Sequence, residues 1–162
     1  MASRDMAGDR IRIEDSVGVC GVRDDTRALA EAAARLLGPG RALDMGTGSG
    51  YVGIYLALHG WEVHATDVSP RAVELAQRNA AANGAPVRVY QSDLFDRVEG
   101  TFDLILFNPP MRPDETEFSR IVTSLLRRSP RISAWLMHLV GHRFERGRHE
   151  FLASVLTAAR GR

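Results

Sequence analysis

Apolar residues along this chain fall into two rhythms that alternate. "DDTRALAEAAARLLG" sets Ala and Leu at helical spacing behind Asp and Thr, which can cap a helix, and predicts a helix from about Thr26 to Leu37 with Gly38 as its stop. "RALDMG" then reads as a short strand, and "YVGIYLALHG" as a helix closed by Gly60. "WEVHATD", with β-branched and aromatic residues, predicts a second strand. "SPRAVELAQRNAAANG" carries a full helix signature, with Ser69 as N-cap, Pro70 at the first helical position and Gly84 past the end. "VRVYQSD" is a third strand. "FDLILFN" is a fourth, nearly unbroken in apolar residues, as a central strand covered on both faces should be.

Strand, helix, strand, helix, strand, strand implies crossover connections and an α/β fold with a mostly parallel, doubly wound sheet. Ligands of such sheets bind at the carboxyl ends of the strands. Each predicted strand here ends in a polar group: Asp44 followed by a glycine loop, Asp67, Asp93 and Asn108. Four such ends on one edge predict a site.

Composition adds limits more than content. The chain has 162 residues, 44% apolar and 25% charged, as expected of one soluble domain with a real core. It has no stretch of transmembrane length, and "MASRDMAGDR" lacks a hydrophobic signal core, so the expectation is a cytoplasmic protein with no membrane partner. The single cysteine, Cys20, can form no internal disulfide and receives no role. His138, His142 and His149 lack tight ligand spacing and predict no metal site. The charge is uneven: residues 1–111 hold 11 Arg against 15 acids, and residues 112–162 hold 10 Arg against 5 acids, net +5. All 21 basic residues are Arg, a pattern that fits coding bias. The basic C-terminal part is a hint of an acidic or phosphate-bearing partner, weighed against an ordinary solvated surface.

"LDMGTGSG" places Gly46, Gly48 and Gly50 at alternate positions between strand and helix, where the missing Cβ permits a tight turn and close ligand approach. The spacing is G-x-G-x-G, not the G-x-G-x-x-G of dinucleotide-binding folds, which disfavours a nicotinamide dehydrogenase. Asp67 lies 17 positions beyond Gly50, about where an acid that accepts ribose hydroxyls belongs. Asp93, at the third strand end, is placed to meet an adenine amino group, with Leu94 flanking the ring.

Taken in order, "LDMGTGSG", "TDVSP", "SDLF" and "NPP" resemble a class I S-adenosylmethionine-dependent methyltransferase. Within that class they resemble the amino-methylating branch that includes release-factor glutamine methyltransferases and N6-adenine or N2-guanine methyltransferases. The resemblance covers residues 23 to about 111. "VRDDT" is also similar to the segment, often ending in "EDT", of the glutamine-methylating subgroup, although "VCGV" stands where that subgroup has prolines. The resemblance implies a Rossmann-like fold and S-adenosyl-L-methionine as cofactor. Asp44 would then lie near the sulfonium and amino group. Gly46, Thr47, Gly48 and Gly50 would line the methionine moiety. Asp67 and Val68 would hold the ribose side, Asp93 and Leu94 the adenine, and Asn108 would adjoin both cofactor and acceptor.

The "NPPM" stretch, Asn108-Pro109-Pro110-Met111, answers a chemical need. An amide or exocyclic amino nitrogen is a poor nucleophile because its lone pair is delocalised. If the Asn108 side-chain oxygen and the Pro109 carbonyl both accept hydrogen bonds from an NH2 group, its lone pair is aimed at the methyl donor. Consecutive prolines stiffen the backbone that presents those acceptors. The fourth position departs from the family: Met111 replaces the usual Tyr, Phe or Trp and specifies a planar acceptor less sharply. The expected activity is methyl transfer to a planar amide or amino nitrogen, with protein glutamine favoured. An RNA or DNA base, or a small-molecule amine, stays open as acceptor, and so does an incomplete, non-catalytic module that only binds cofactor or partner.

After Pro113 the resemblance fades. Three segments are expected: a 1–22 extension, a 23–113 cofactor-binding core, and a basic 114–162 segment facing acceptor or partner. The favoured reading makes "EFLASVLTAARGR" a helix like the one that precedes the fifth strand in the family, with 114–142 inserted and the chain stopping before strands five to seven. The other reading makes "ISAWLMHLV" the fifth strand and the terminal helix its cover. On the first, the chain is a fragment, or an open sheet edge is covered by a partner subunit, a second copy or the rearranged tail.

Overall fold

The computed structural model describes residues 10–36, 39–108 and 154–157. Eight elements follow in chain order: α1 (Asp24–Leu36), β1 (Arg41–Met45), α2 (Tyr51–Leu58), β2 (Glu62–Asp67), α3 (Pro70–Ala82), β3 (Val87–Gln91), β4 (Leu104–Phe107) and β5 (Ser154–Thr157). They form a five-stranded sheet in the order β3-β2-β1-β4-β5. The first four strands are mutually parallel and β5 runs antiparallel to β4. The fold is therefore the mostly parallel, Rossmann-like α/β arrangement that the alternation of rhythms predicts.

Local chemistry sets the element ends. Ser69, in extended conformation, accepts a hydrogen bond from the Ala72 N–H, and Pro70 begins α3, as the capping pattern requires. Gly60 and Gly84 adopt positive φ just beyond α2 and α3. α1 starts two residues before the expected Thr26, at Asp24, so that Asp24 and Asp25 face the positive end of the helix dipole. The expected end of that helix at Leu37 and Gly38 lies outside the described residues.

α2 is buried from Tyr51 to Ala57 and packs between α1 and α3, which explains why it is apolar all round rather than striped. Parallel register sets Ala42 beside Val63 and Leu104, and these join α1 residues Leu29, Ala30 and Ala33 and the α2 side chains in one core. The alternate positions, Leu43, His64 and Ile105, lie on the opposite face and are also buried, as doubly covered strands should be.

At the amino edge of the sheet, Arg41 bonds Glu62 at 3.2 Å, stacks over Phe102 at 4.8 Å and places Nη2 3.1 Å from His64 Nε2. Arginine can only donate, so Nε2 accepts, and the imidazole proton sits on Nδ1, 3.2 Å from the Tyr90 hydroxyl. Burial, then Arg41 and Arg88, hold the His64 pKa below its usual 6.5, so its 3.8 Å approach to Glu62 is not an ion pair at neutral pH.

One sequence expectation fails. "EFLASVLTAARGR" was expected to be helical, yet Ser154–Thr157 is a strand paired with β4, Phe107 opposite Ser154 and Leu104 opposite Thr157. The open side of β4 presents unpaired N–H and C=O groups, and pairing them outweighs a helical period that depends on local propensity alone. "ISAWLMHLV" lies outside the described residues, as do His138, His142 and His149. Among the described residues no helix is long and apolar enough to cross a membrane.

The glycine loop fits its packing closely at one point. Gly50 has φ +87°, and a Cβ there would meet the Ala76 Cβ at 3.0 Å and its Cα at 3.1 Å. Gly50→Ala should therefore cost about 2–4 kcal/mol, combining left-handed strain with overlap against α3. Gly84→Ala, with φ +61° and nothing within 4 Å, should cost only the strain, about 1–2 kcal/mol. Urea unfolding of both variants checks this; equal losses would mean that contact with Ala76 contributes nothing.

Candidate functional site

Because β1 to β4 are parallel, their carboxyl ends share one edge, and Asp44, Asp67, Asp93 and Asn108 stand along it. Asp44, next to last in β1, is 3% exposed. Its Oδ2 accepts the Thr47 hydroxyl at 2.6 Å and the Gly53 N–H of α2 at 3.0 Å. A Cβ on Gly53 would sit 3.4 Å from that oxygen, so the bare backbone of α2 lets the helix settle onto the acid. Burial pushes the Asp44 pKa from 3.8 up to about 6; the two hydrogen bonds pull it back in part, and the Asp67 carboxylate adds to the rise. A buried carboxylate held so high favours a cation beside it.

Gly46, Gly48 and Gly50 all have positive φ, at 67°, 56° and 87°, so the three glycines have a conformational reason to be where they are. Thr47 N–H donates to the Thr66 carbonyl at 2.9 Å and ties the loop to β2. Gly48 N–H donates to Asp67 Oδ2 at 3.0 Å, and Ser69 N–H to Oδ1 at 2.9 Å. Asp67 is thus aimed by backbone donors from both sides, and each oxygen retains a lone pair for a further donor. Val68, next along, is 61% exposed on the same edge.

Past β3, Ser92 N–H donates to the Asp67 carbonyl at 3.0 Å and extends the ladder by one step. Asp93 and Leu94 follow in a tight turn, and Leu94 is the one non-glycine among the described residues with positive φ, at 50°. At the end of β4, Asn108 Nδ2 donates to Thr26 Oγ1 in the first turn of α1 at 3.4 Å. That bond engages the amide nitrogen with α1; the amide oxygen is the side chain's acceptor. Pro109, Pro110 and Met111 lie outside the described residues.

Two residues that pattern reasoning passed over complete the frame. Asn79 of α3 is fully buried; its amide accepts the Glu14 N–H at 2.9 Å and donates to the Ser49 carbonyl of the glycine loop at 2.8 Å. Asn83, one turn on, accepts the Arg12 N–H at 2.9 Å and donates to the Arg12 carbonyl at 2.7 Å. The backbone before α1 is thereby laid along α3, and it brings Val19 and Cys20 to the glycine loop, where the Cys20 carbonyl would lie 3.8 Å from a Cβ on Gly48. The signal was present in "AQRNAAAN": two amides stand four residues apart on a helix otherwise rich in Ala, and the inner one, on the buried stripe, needs polar partners from outside the helix.

Residues 21–144 match the model of the methyltransferase small domain. The chain belongs to that family. The match runs well past Met111, where the motif-based resemblance stopped. Among relatives, ribosomal RNA small subunit methyltransferase C of Chromohalobacter salexigens is 34% identical over 126 residues, covering 74% of this chain and 38% of that protein. Release factor glutamine methyltransferase of Lactococcus lactis is 44% identical over 72 residues, 43% of this chain and 27% of its own length. The solved structure of a T. thermophilus 16S rRNA N2 methyltransferase, in complex with AdoMet and guanosine, superposes with a TM-score of 0.58 at 26% identity, over 70% of this chain and 33% of that one. This methyltransferase small domain thus spans between 27% and 38% of the length of those three proteins.

Proposed function

We propose that this domain carries the cofactor and methyl-transfer site of an S-adenosylmethionine-dependent N-methyltransferase. The observation that carries the reading is the edge itself: a buried acid at the glycine loop, a second acid tied to that loop, a third strand-end acid and an amide follow one another across four parallel strand ends. The cofactor fits what is there. Its cationic sulfonium and ammonium suit the buried Asp44 carboxylate, and its ribose hydroxyls suit the remaining lone pairs of Asp67. Asp93 and Leu94 would take the adenine, with Gly46, Thr47, Gly48 and Gly50 along the methionine chain and Val68 beside the ribose. When bound, S-adenosylmethionine supplies an electrophilic methyl group.

The chain's own residues supply position. Asn108, oriented by Thr26, would accept one N–H of a planar NH2 group, and the Pro109 carbonyl the other, so that the nitrogen lone pair points at the methyl carbon. On methyl transfer the Asn108 oxygen and the Pro109 carbonyl would stabilise the positive charge arising on that nitrogen, and its extra proton would pass to water. Met111 would lie against the planar group.

Protein glutamine is the favoured acceptor, because Thr26 of the "RDDT" segment reaches Asn108. An RNA base is the second reading, supported by the net +5 of residues 112–162 and by the broad match to a ribosomal RNA methyltransferase. On either reading residues 23–113, with β5 added to their sheet, would form the cofactor core, the rest of 114–162 would contribute to recognising the acceptor, and the protein would work in the cytoplasm. A partner subunit or second copy would add to the sheet beyond β5 or β3.

Labelled methyl transfer into cell-extract fractions, followed by protease or RNase digestion, tests this. Label released by protease supports glutamine, label released by RNase supports the base, and cofactor binding with no label in any fraction would reduce the chain to a binding module. Asp67→Ala should weaken S-adenosylhomocysteine binding about 10- to 100-fold, since it removes a charged acceptor from two hydroxyls and loosens Gly48. Calorimetric titration reads it, and undiminished affinity would displace Asp67 from the ribose.

A further inference from the structure

Ser92 is buried, 4% exposed, and its N–H and hydroxyl tie the turn that follows β3 to itself and to the end of β2. Its N–H donates to the carbonyl of Asp67 at 3.0 Å. Its hydroxyl donates to the Leu94 carbonyl at 3.0 Å and accepts the Arg97 N–H at 3.1 Å. Between those anchors Leu94 is kept at φ +50°, a conformation that a side chain with a Cβ avoids. Phe95 and Val98, buried at 7% and 5%, pin the far side of the turn, so the strain cannot be relieved by letting the whole segment drift. A left-handed leucine kept in place by a neighbouring hydroxyl marks a backbone shape worth its cost.

We propose that Ser92 is a positioning residue for the adenine end of the cofactor site, holding Asp93 and Leu94 in the one backbone geometry that recognises the 6-amino group and the ring. The inference rests on the cofactor reading above and goes beyond it by naming what sets base specificity. Ser92 touches no ligand in this scheme. It couples the Asp67 strand end, which would hold the ribose, to the turn that would hold the base. Without its hydroxyl, Leu94 is expected to relax toward negative φ and to turn the preceding Asp93 carbonyl with it, against the 3.1 Å hydrogen bond that carbonyl accepts from Asp96 N–H.

The test compares S-adenosylhomocysteine with S-inosylhomocysteine, which differ in a 6-amino against a 6-oxo group and in the proton that the latter carries on N1, by calorimetric titration of wild type, S92A and the double variant S92A/L94G. Circular dichroism establishes that each is folded. Wild type should prefer the adenine ligand. S92A should lose about 10-fold in affinity for it while changing little toward the hypoxanthine ligand, so that the preference collapses. S92A/L94G should recover most of the preference, because glycine adopts φ +50° without the hydroxyl's help. A merely structural role would weaken both ligands together and leave their ratio intact, and that outcome overturns the proposal. So does a preference that survives in S92A. If S92A does not fold, S92T and S92C take its place: threonine keeps the hydroxyl and should keep the preference, cysteine, a weak hydrogen-bonding group, should lose most of it, and equal preferences in the two overturn the proposal. Wild type that binds neither ligand would instead bring down the cofactor reading itself.

Discussion

Asn108→Ala is expected to lower methyl transfer by about 10²- to 10³-fold, while the affinity for S-adenosylhomocysteine changes less than about 3-fold. The asymmetry follows from where the amide stands. Asn108 directly follows β4, its Nδ2 donates to Thr26 and its oxygen is the group proposed to meet the acceptor nitrogen, whereas the groups proposed to grip the cofactor lie on β1, β2 and β3 or in the turns after them. Removing it would leave the cofactor's contacts whole and deprive the acceptor nitrogen of the partner that orients it. Single-turnover transfer into the labelled extract fraction, beside titration with S-adenosylhomocysteine, separates the two effects. A parallel loss of cofactor affinity would move Asn108 into the cofactor site.

Asp44→Asn should have two opposite effects. The folded-state pKa of Asp44 is raised from 3.8 to about 6, so the folded protein holds this proton more tightly than the unfolded chain does. Its stabilising contribution is therefore complete below about pH 3.8 and is lost as pH rises through 6. At pH 8 the ionised, buried carboxylate costs about 3 kcal/mol, by the equivalence of one pKa unit to roughly 1.4 kcal/mol. Asparagine keeps an oxygen for Thr47 and Gly53 and carries no charge. The variant should thus unfold at higher urea than wild type at pH 8, and the gain should shrink toward pH 4. The same change should weaken the cationic cofactor about 10- to 100-fold, since the charge that costs stability is the one that meets the sulfonium and ammonium. In wild type, cofactor affinity should rise between pH 5 and 7 with proton release on binding, which calorimetry in buffers of different ionisation enthalpy measures. A variant no more stable than wild type at pH 8 would mean that water reaches Asp44 and relieves its burial.

The legible part of the site was the part built from short-range rules. Ser69 with Pro70, and the glycines at 46, 48 and 50, are each explained by a few neighbouring residues. Asp44, Asp67, Asp93 and Asn108 share an edge because strands joined by crossovers run parallel, which the alternation of rhythms already requires. Thr26 was near the site in the sequence reading only through its motif, and its bond to Asn108 spans 82 positions. Ser92 was visible as a letter of "SDLF" but not as the support of a strained leucine, since a positive φ at a non-glycine residue leaves no compositional trace.

The sequence by itself determined the parallel α/β order, the boundaries of most elements and the polar groups at the strand ends, because periodicity, capping and glycine conformations are encoded within a turn or two of chain. Tertiary structure alone decided the rest. Residues 154–157 became a strand because β4 had an open edge, although their own period favoured a helix. Asn79 and Asn83 became the anchors of the segment before α1, the buried Asn79 amide because it had to find partners and Asn83 by pairing with the backbone of Arg12, contacts that span 65 and 71 positions. Asp44 acquired its raised pKa only when α2 settled over it and excluded water. Hydrogen-bond satisfaction and desolvation depend on what the chain brings together, and no local stretch of sequence contains that.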